Sequence, residues 1–278
     1  MKAWLSTVKL AWVGSVRTVC AMRAVSAVFA VLAVCAAPAA MAAGPSELIR
    51  ADSDSATLGA GWQLLTLPKQ KPPVTVFTAD RTLGRPALRM EAAASYGHMA
   101  HPLTGAAPAT ISWSWRVEKS SAAIDLRSKA GDDSPAKVCL SFDLPLSQVP
   151  FFERELLRIA RRTTTVPLPA ATLCWVWGHA EAAGSVVVNP YTQRVRSIVL
   201  RGQRDALGQW FDETRDVAAD FRAAFGDESQ AVPPVSAVLV GADTDNTGAQ
   251  TLGYVAGLRL LPATAGSANK TPTPAAGN

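Results

Sequence analysis

Residues 110–117 read Thr-Ile-Ser-Trp-Ser-Trp-Arg-Val, a strict alternation of polar and apolar side chains. Because successive side chains of a β-strand point to opposite faces of its sheet, this pattern predicts a strand with one buried face. Similar stretches occur at 73–77, 86–90, 137–143, 171–177, 194–201, 235–242 and 252–261. Gly, Pro, Asn and Asp residues separate them. The sequence therefore predicts a mostly β fold, an antiparallel β-sandwich of the jelly-roll type with two short helices.

The first predicted helix covers residues 151–162. It places arginines on one stripe and large apolar side chains on another. The arginine stripe is Arg154, Arg158 and Arg161, and the apolar stripe is Phe152, Leu156 and Ile159. The arginines suit either an anionic partner or a solvated helix face, and the amphipathic pattern favours the solvated face.

The second predicted helix covers residues 216–225. Val217, Phe221 and Phe225 recur every four residues, which indicates one buried face. Asp216 is a suitable N-cap. Gly226 is expected to end the helix with a positive φ.

The two ends of the chain differ from its middle. Residues 1–42 combine a basic head, an apolar run at 24–37 and a small-residue exit at 40–42, which predicts a cleaved secretory signal. The apolar run is shorter than the roughly 20 residues that a bilayer core requires, so we expect no transmembrane segment after cleavage. Residues 263–278 contain no large apolar side chain and are predicted to be a disordered tail. Residues 43–262 form a single predicted domain, expected in the periplasm or secreted.

The charge of the chain belongs mainly to its signal. The whole chain has a formal net charge of +5, but residues 1–42 hold four of the 27 Lys and Arg and none of the 22 Asp and Glu. The remaining 23 basic and 22 acidic residues balance to +1. A nearly neutral mature protein lacks the basic surplus of nucleic-acid-binding domains, so we expect no nucleic-acid partner.

Two cysteines, Cys139 and Cys174, remain after signal cleavage, each within a predicted strand. In an oxidising compartment they form a disulfide if their strands are neighbours. The alternative is two small buried side chains. Strand register cannot be read from sequence, so both interpretations stand at this point.

Two pairs of tryptophans recur at strand spacing: Trp113 with Trp115, and Trp175 with Trp177. Residues two apart in a strand share a sheet face. On an open face the four rings would form a platform that stacks on sugar rings, which makes them candidate ligand-binding residues. Facing the partner sheet they would be core, and a tryptophan row at this spacing is more often buried.

Two acidic turns carry the candidate catalytic and metal-binding residues. The loop 243–248 offers Asp243, Asp245 and Asn246, whose oxygen atoms suit a structural calcium ion, although an Asx-turn explains the same residues. The turn 129–133 ends in Asp132 and Asp133. Either carboxylate could serve as a general base or hold a substrate hydroxyl, and a purely structural turn is the alternative. Lys129 opens this turn and is a candidate ligand contact.

Six motifs occur in a characteristic order: Ile111-Ser-Trp-Ser-Trp-Arg-Val117, Lys129-Ala-Gly-Asp-Asp133, Leu173-Cys-Trp-Val-Trp177, Asn189-Pro-Tyr-Thr192, the segment 215–226, and Asp243-Thr-Asp-Asn-Thr-Gly248. In this order the chain resembles the bacterial family of secreted proteins known as domain of unknown function 3047, over roughly residues 61–261. The resemblance implies an exported protein with a β-rich fold and no particular activity. Residues 144–170 look expanded relative to the family.

Three functions follow as hypotheses. The favoured one is a non-catalytic glycan-binding module of the cell envelope. The second is a polysaccharide hydrolase or lyase whose acid and base groups come from the aspartates of the two turns. The third is an envelope protein-interaction module that uses the arginine-striped helix. The sequence contains no Gly-x-Ser-x-Gly motif and no glycine-rich phosphate loop, which argues against the hydrolases and nucleotide-binding proteins that carry them.

Overall fold

A computed structural model describes residues 46–49, 61–67, 70–163 and 168–262 of the chain. The predicted signal at 1–42 and the predicted tail at 263–278 lie outside the described residues. The elements, in chain order, are β1 (Ser46–Glu47), β2 (Gln63–Leu65), β3 (Val76–Asp80), β4 (Ala87–Ala93), β5 (Tyr96–Pro102), β6 (Thr110–Lys119), β7 (Ser134–Phe142), α1 (Phe151–Thr163), β8 (Ala171–Trp177), β9 (Val186–Val188), β10 (Val195–Arg201), β11 (Trp210–Asp216), α2 (Val217–Phe225), β12 (Val235–Asp243) and β13 (Gln250–Leu261).

The strands form two sheets. The six-stranded sheet has the order β11-β6-β13-β4-β3, with β1 pairing to β13. The seven-stranded sheet has the order β2-β5-β12-β7-β8-β10-β9. Neighbouring strands are antiparallel apart from the parallel pair β8–β10. The predicted mostly β sandwich is confirmed, with one sheet mixed rather than purely antiparallel.

The four tryptophans lie in the core between the sheets. Trp113 and Trp115 point inward from β6, Trp175 and Trp177 point inward from β8, and none is more than 2% exposed. Ring centroids of Trp113 and Trp175 lie 5.5 Å apart, and those of Trp115 and Trp177 lie 6.0 Å apart. The core position that the spacing favoured is confirmed, and the alternative sugar-stacking platform is wrong: these rings supply apolar burial, which dominates the stabilising contribution of aromatic side chains in cores.

Helix α2 begins as predicted and ends differently. Asp216 Oδ1 accepts a hydrogen bond from the Ala219 N–H at 2.9 Å, which is N-capping. Gly226 has a φ of −64°, so the predicted positive φ is wrong. A Cβ at Gly226 would lie 2.4 Å from the Arg222 carbonyl oxygen. The glycine is needed because the backbone approaches that carbonyl closely.

Cys139 and Cys174 form a disulfide. They are directly opposite each other in the β7–β8 pair, with their Cα atoms 4.0 Å apart. The bond lies on the outer face of the seven-stranded sheet, because the neighbouring Val138 and Leu140 face the core. Ile124 and Leu126 pack over it. The loop 120–133, which we call the covering loop, is thereby held against this outer face.

The described helices can also be compared with the length that a bilayer requires. Among the residues described, none of the helices is both long and apolar enough to cross a membrane. Helix α1 is the longer of the two, with 13 residues, and α2 has nine.

Candidate functional site

A group of polar side chains gathers on the outer face of the seven-stranded sheet, beside the covering loop. Strand alternation places them there: Val138, Val240 and Ala242 face the core, so the residues next to them face outward. We call this group the aspartate site. Its members are Tyr96 from β5, Asp132 and Asp133 from the covering loop, Lys137 from β7, and Asp243 and Asp245 from the end of β12 and the loop after it.

Lys137 and Asp243 form the buried ion pair of the site. Lys137 Nζ lies 2.6 Å from Asp243 Oδ2, and the two side chains are 14% and 5% exposed. Burial favours a neutral lysine, but the carboxylates of Asp243 and Asp132 outweigh it and raise the pKa of Lys137. Burial raises the pKa of Asp243 to about 6, with Lys137 acting in the opposite direction. Both groups are therefore charged at neutral pH.

Asp133 organises the loop that follows β12. Its carboxylate is fully buried, and it accepts hydrogen bonds from the backbone N–H of Asn246 and of Thr247 and from Asn246 Nδ2. These three donors occupy both carboxylate oxygens. Asp133 is therefore a structural anchor, the alternative that the sequence left open for this turn, and its role as a catalytic base stays a prediction.

Asp132 is more accessible to solvent than its neighbour Asp133. Its Oδ2 accepts a hydrogen bond of 2.5 Å from Asn189 Nδ2, and its side chain is half-buried. Burial raises the pKa of Asp132, while Lys137 and the Asn189 hydrogen bond lower it in part. Asp132 thus combines access to solvent with a perturbed acidity, which are features of a functional carboxyl.

Two groups of the site point into it without a partner. Asp245 Oδ1 is buried and makes no hydrogen bond to a described residue, and burial together with the nearby Asp133 raises the pKa of Asp245. The Tyr96 hydroxyl makes no hydrogen bond to the described part of the chain either, but its oxygen is not fully buried, so solvent reaches it; burial of the side chain raises the pKa of Tyr96 to about 12. Unpaired polar groups of this kind cost free energy unless water or a ligand pairs with them.

An exposed tyrosine forms the rim of the site. The Tyr191 hydroxyl lies 2.7 Å from Asn246 Oδ1 and 2.9 Å from the Lys129 carbonyl oxygen. Lys129 Nζ lies 5.2 Å from the Tyr191 ring centroid, a cation–π contact. The motifs at 129–133, 189–192 and 243–248, distant in sequence, therefore meet here.

The oxygen atoms of three aspartates are close enough to be compared with a calcium site. One carboxylate oxygen from each of Asp133, Asp243 and Asp245 lies within 4.8 Å of the others. Hard oxygens suit calcium, but the Lys137 ammonium already provides a cation at Asp243. Asn246 presents Nδ2 to Asp133 and directs its amide oxygen to Tyr191. Asp243, Asp245 and Asn246 stay predicted ligands, although the Asn246 amide oxygen already accepts a hydrogen bond from Tyr191.

Strand β5 contributes residues that the sequence patterns did not identify. Residues 96–102 are not among the predicted strands, yet they form β5. The His98 ring packs against Tyr96, with centroids 4.9 Å apart, and covers Gly241, where a Cβ would lie 2.1 Å from the ring. Burial lowers the pKa of His98 to about 3, so the ring is neutral. The signal in the sequence was the spacing of Tyr96 and His98, which are two residues apart and so share one face of a strand. Because both rings carry polar atoms, this spacing did not stand out as a pattern of apolar residues.

A small pocket lies apart from the aspartate site, beyond the ends of β6, β8 and β10. It has a volume of about 200 Å³, with the Trp177 edge, His179, Gln203 and Asp205 among its lining residues. The Asp205 carboxylate already bonds Arg201 and the Gly202 N–H. The Ser120 hydroxyl, which also lines the pocket, is buried with no hydrogen-bond partner among the described residues.

Fold and site together define a class: a two-sheet β-sandwich protein with a carboxylate-rich site on one outer sheet face. Within this class the chain belongs to the family described as protein of unknown function (DUF3047), whose profile matches residues 60–259. No curated protein matches the chain.

One solved structure provides a comparison of folds. The chain is similar to the xyloglucanase domain of NopAA, a type three effector from Sinorhizobium fredii, solved in complex with cellobiose. The two share 10% sequence identity, the match covers 72% of this chain and 96% of that one, and the TM-score is 0.37. A likeness at this level carries no argument about function.

Proposed function

We propose that this protein binds a carbohydrate at the aspartate site and works outside the cytoplasm. The observation that carries the proposal is the convergence of half-buried, incompletely bonded polar groups from separate segments. Asp132, Asp245 and Tyr96 each present an oxygen toward the same site, and Asn189 and Tyr191 border it. Placing such groups together is costly for the fold alone, and a ligand that bonds them compensates that cost.

The chemistry of the site matches a ligand with many hydroxyl groups. Carboxylates accept hydrogen bonds, and a tyrosine hydroxyl both donates and accepts. Sugar hydroxyls also do both, so they satisfy this mixed set.

The charge of the site selects among carbohydrates. Four aspartates and one lysine give the group a formal charge of −3 when all are ionised. An anionic sugar would be repelled by this surplus, because charges inside a partly desolvated site are weakly screened. We therefore expect neutral glycans to be preferred over polymers of uronic acids.

The proposal is tested by replacing the accessible carboxylate. The mature protein is applied to a panel of immobilised neutral and acidic polysaccharides, peptidoglycan included. We expect retention on a neutral member, and we expect Asp132→Asn to weaken it about tenfold or more, since a hydrogen bond to a charged group contributes about 1.5–3 kcal/mol. Affinity electrophoresis or calorimetry with soluble fragments measures the change.

Asp80→Asn is the matched control. Asp80 is an aspartate at the end of β3 in the other sheet, and its carboxylate bonds Thr82 at the surface. It should bind like the wild type. Absence of retention on every polysaccharide, or equal retention by Asp132→Asn and the wild type, would refute carbohydrate binding at this site.

A second candidate function is cleavage of a polysaccharide. The observation that favours it is the presence in one site of two carboxyls, Asp132 and Asp245, whose pKa burial raises, because a carboxyl with a raised pKa holds the proton that a general acid donates. The same panel distinguishes the two functions. Release of soluble oligosaccharides that stops in Asp132→Asn indicates an enzyme, whereas retention without release indicates a binding module.

A further inference from the structure

We infer that Tyr191 is the surface on which a pyranose ring of the ligand stacks, an inference that rests on the carbohydrate binding proposed above. Within the described ranges three aromatic side chains are exposed: Phe151 and Phe152 on α1, and Tyr191 on the rim of the aspartate site. The Tyr191 side chain is 57% exposed. An aromatic ring that is held in solvent leaves apolar surface uncovered, and a ligand with an apolar face can bury that surface.

The Tyr191 ring is held in place through both its hydroxyl and its backbone. The hydroxyl lies within hydrogen-bond distance of Asn246 Oδ1 and of the Lys129 carbonyl oxygen, at 2.7 and 2.9 Å. The backbone N–H donates to Asn189 Oδ1 at 3.0 Å. A side chain fixed in this way loses little conformational freedom when a ligand covers it, so most of the energy of stacking is available for binding.

Asn189 joins this ring to the accessible carboxylate of the aspartate site. While its Oδ1 accepts from the Tyr191 N–H, its Nδ2 donates to Asp132 Oδ2 at 2.5 Å. Desolvation and then the carboxylates of Asp132 and Asp245 raise the pKa of Tyr191, so both carboxylates lie close enough to act on its hydroxyl. One asparagine side chain therefore fixes the aromatic ring and the Asp132 carboxylate relative to each other.

Lys129 covers one side of the Tyr191 ring and leaves the other side open. Its Nζ lies 5.2 Å from the ring centroid. Because the side chain is more than half exposed despite this contact, the open surface lies along the ring edge and on the face opposite the ammonium. That face is where a ligand ring can stack.

An aromatic face beside a carboxylate selects a ring-shaped sugar over other polyhydroxyl compounds. A pyranose ring carries hydroxyl groups around its rim and C–H groups on its faces, and the negative face of an aromatic ring attracts C–H groups. Stacking on Tyr191 brings the rim hydroxyls within the reach of Asp132, which accepts their hydrogen bonds. An acyclic polyol offers the same hydroxyls without a flat face. We therefore expect polymers of pyranose units to bind and acyclic polyols not to compete with them.

The test compares Tyr191→Ala with Tyr191→Phe in protein exported from the full-length chain. Affinity electrophoresis is run in gels that contain hydroxyethylcellulose, galactomannan or glycol chitin, and we expect at least one of them to retard the wild type. In that gel Tyr191→Ala should raise the Kd about tenfold, because the stacking face is lost. Tyr191→Phe keeps the face and should stay within about threefold of the wild type. Added sorbitol should not release the protein.

Phe152→Ala is the matched control, since it removes an even more exposed aromatic ring from α1 and should be retarded like the wild type. Urea unfolding checks that each variant is folded. Four results would overturn the inference: no retardation of the wild type in any of the three gels, release by sorbitol, unchanged retardation of Tyr191→Ala, or an equal loss in Tyr191→Phe and Tyr191→Ala. The last result would assign the effect to the hydroxyl contacts with Asn246 and Lys129.

Failure of stacking and failure of carbohydrate binding give different results. If Asp132→Asn weakens binding and Tyr191→Ala does not, the site binds a carbohydrate without stacking it on Tyr191. If the wild type is retained on no member of the immobilised panel, carbohydrate binding itself is refuted.

Discussion

Lys137→Met is expected to lower the free energy of unfolding by about 3–5 kcal/mol, because it leaves the buried carboxylate of Asp243 without its cation. The pair is short and nearly inaccessible to water, so solvent cannot replace the lost ammonium. Urea unfolding followed by tryptophan fluorescence measures the change. Lys119→Met is the matched control, since Lys119 bonds Gln250 at the surface and its loss should cost less than about 0.5 kcal/mol.

The loss of unfolding free energy in Lys137→Met should increase with pH. The pKa of Asp243 is about 6 in the folded protein, above its ordinary value, and Lys137 is what restrains it. Without Lys137 the pKa rises further, so the folded variant holds a proton that the unfolded chain has released. Stability then falls as pH rises from the ordinary carboxyl range through the folded pKa, and the penalty is smaller at pH 5 than at pH 8.

The double variant Lys137→Met/Asp243→Asn separates charge from packing. Asparagine keeps an oxygen for the Ser134 N–H and carries no charge, so most of the lost stability should return. If the single variant is as stable as the wild type at pH 8, the ion pair does not have the role assigned to it. A double variant no more stable than the single one would assign the loss to packing instead.

The sandwich was predictable because its strands follow the simplest of patterns. Strand β8 matches the prediction at both ends, and β6 and β12 match within two residues at either end. Each of these strands has apolar side chains that enter the core. Strands β5 and β11 were missed because polar residues such as His98, His101 and Glu213 occupy them. Polar residues that are paired within the fold interrupt the alternation of apolar and polar side chains by which a strand is recognised in a sequence.

The aspartate site was predictable in its parts and not in its assembly. The two acidic turns were recognisable as local motifs, but nothing in either turn indicates that they meet. Their meeting depends on the register of β7 with β12, which places Ser134 opposite Asp243. Lys137 was missed for the same reason, since a lysine in a strand pattern usually marks an outward, solvated face. Lys137 neutralises the Asp243 carboxylate only because the pairing of β7 with β12 brings the two side chains together.

For the tryptophans, the strand spacing was clear from the sequence, but whether the rings were buried or exposed was not. Spacing placed each pair on one face correctly, but it could not say which face. One ring of each pair has an acidic partner in the core: Trp175 Nε1 donates to Asp220 Oδ2, and Trp115 Nε1 donates to Glu213 Oε1. Acidic partners from α2 and β11 satisfy these two indole nitrogens, whereas Trp113 Nε1 is buried with no hydrogen-bond partner among the described residues.

Reduction of the Cys139–Cys174 disulfide is expected to lower the free energy of unfolding by about 4 kcal/mol. The bond closes a segment with a sequence separation of 35 residues, and opening it returns that conformational freedom to the unfolded chain. Urea unfolding with and without dithiothreitol measures the loss. Cys139→Ala/Cys174→Ala is the control: it should be destabilised to a similar degree and be insensitive to reductant. Two titratable thiols with undiminished stability would contradict the assignment.

The position of the disulfide connects this stability to the site. Cys139 is two residues from Lys137 on the same strand face, and Ile124 and Leu126 of the covering loop pack over the bond. Loss of the bond should therefore loosen the loop that presents Asp132 before the core unfolds. In hydrogen exchange, dithiothreitol should speed exchange in residues 120–133 at concentrations of urea where β6 is still protected. Equal protection of the covering loop in the oxidised and reduced protein would instead mean that Ile124 and Leu126 hold it without the bond.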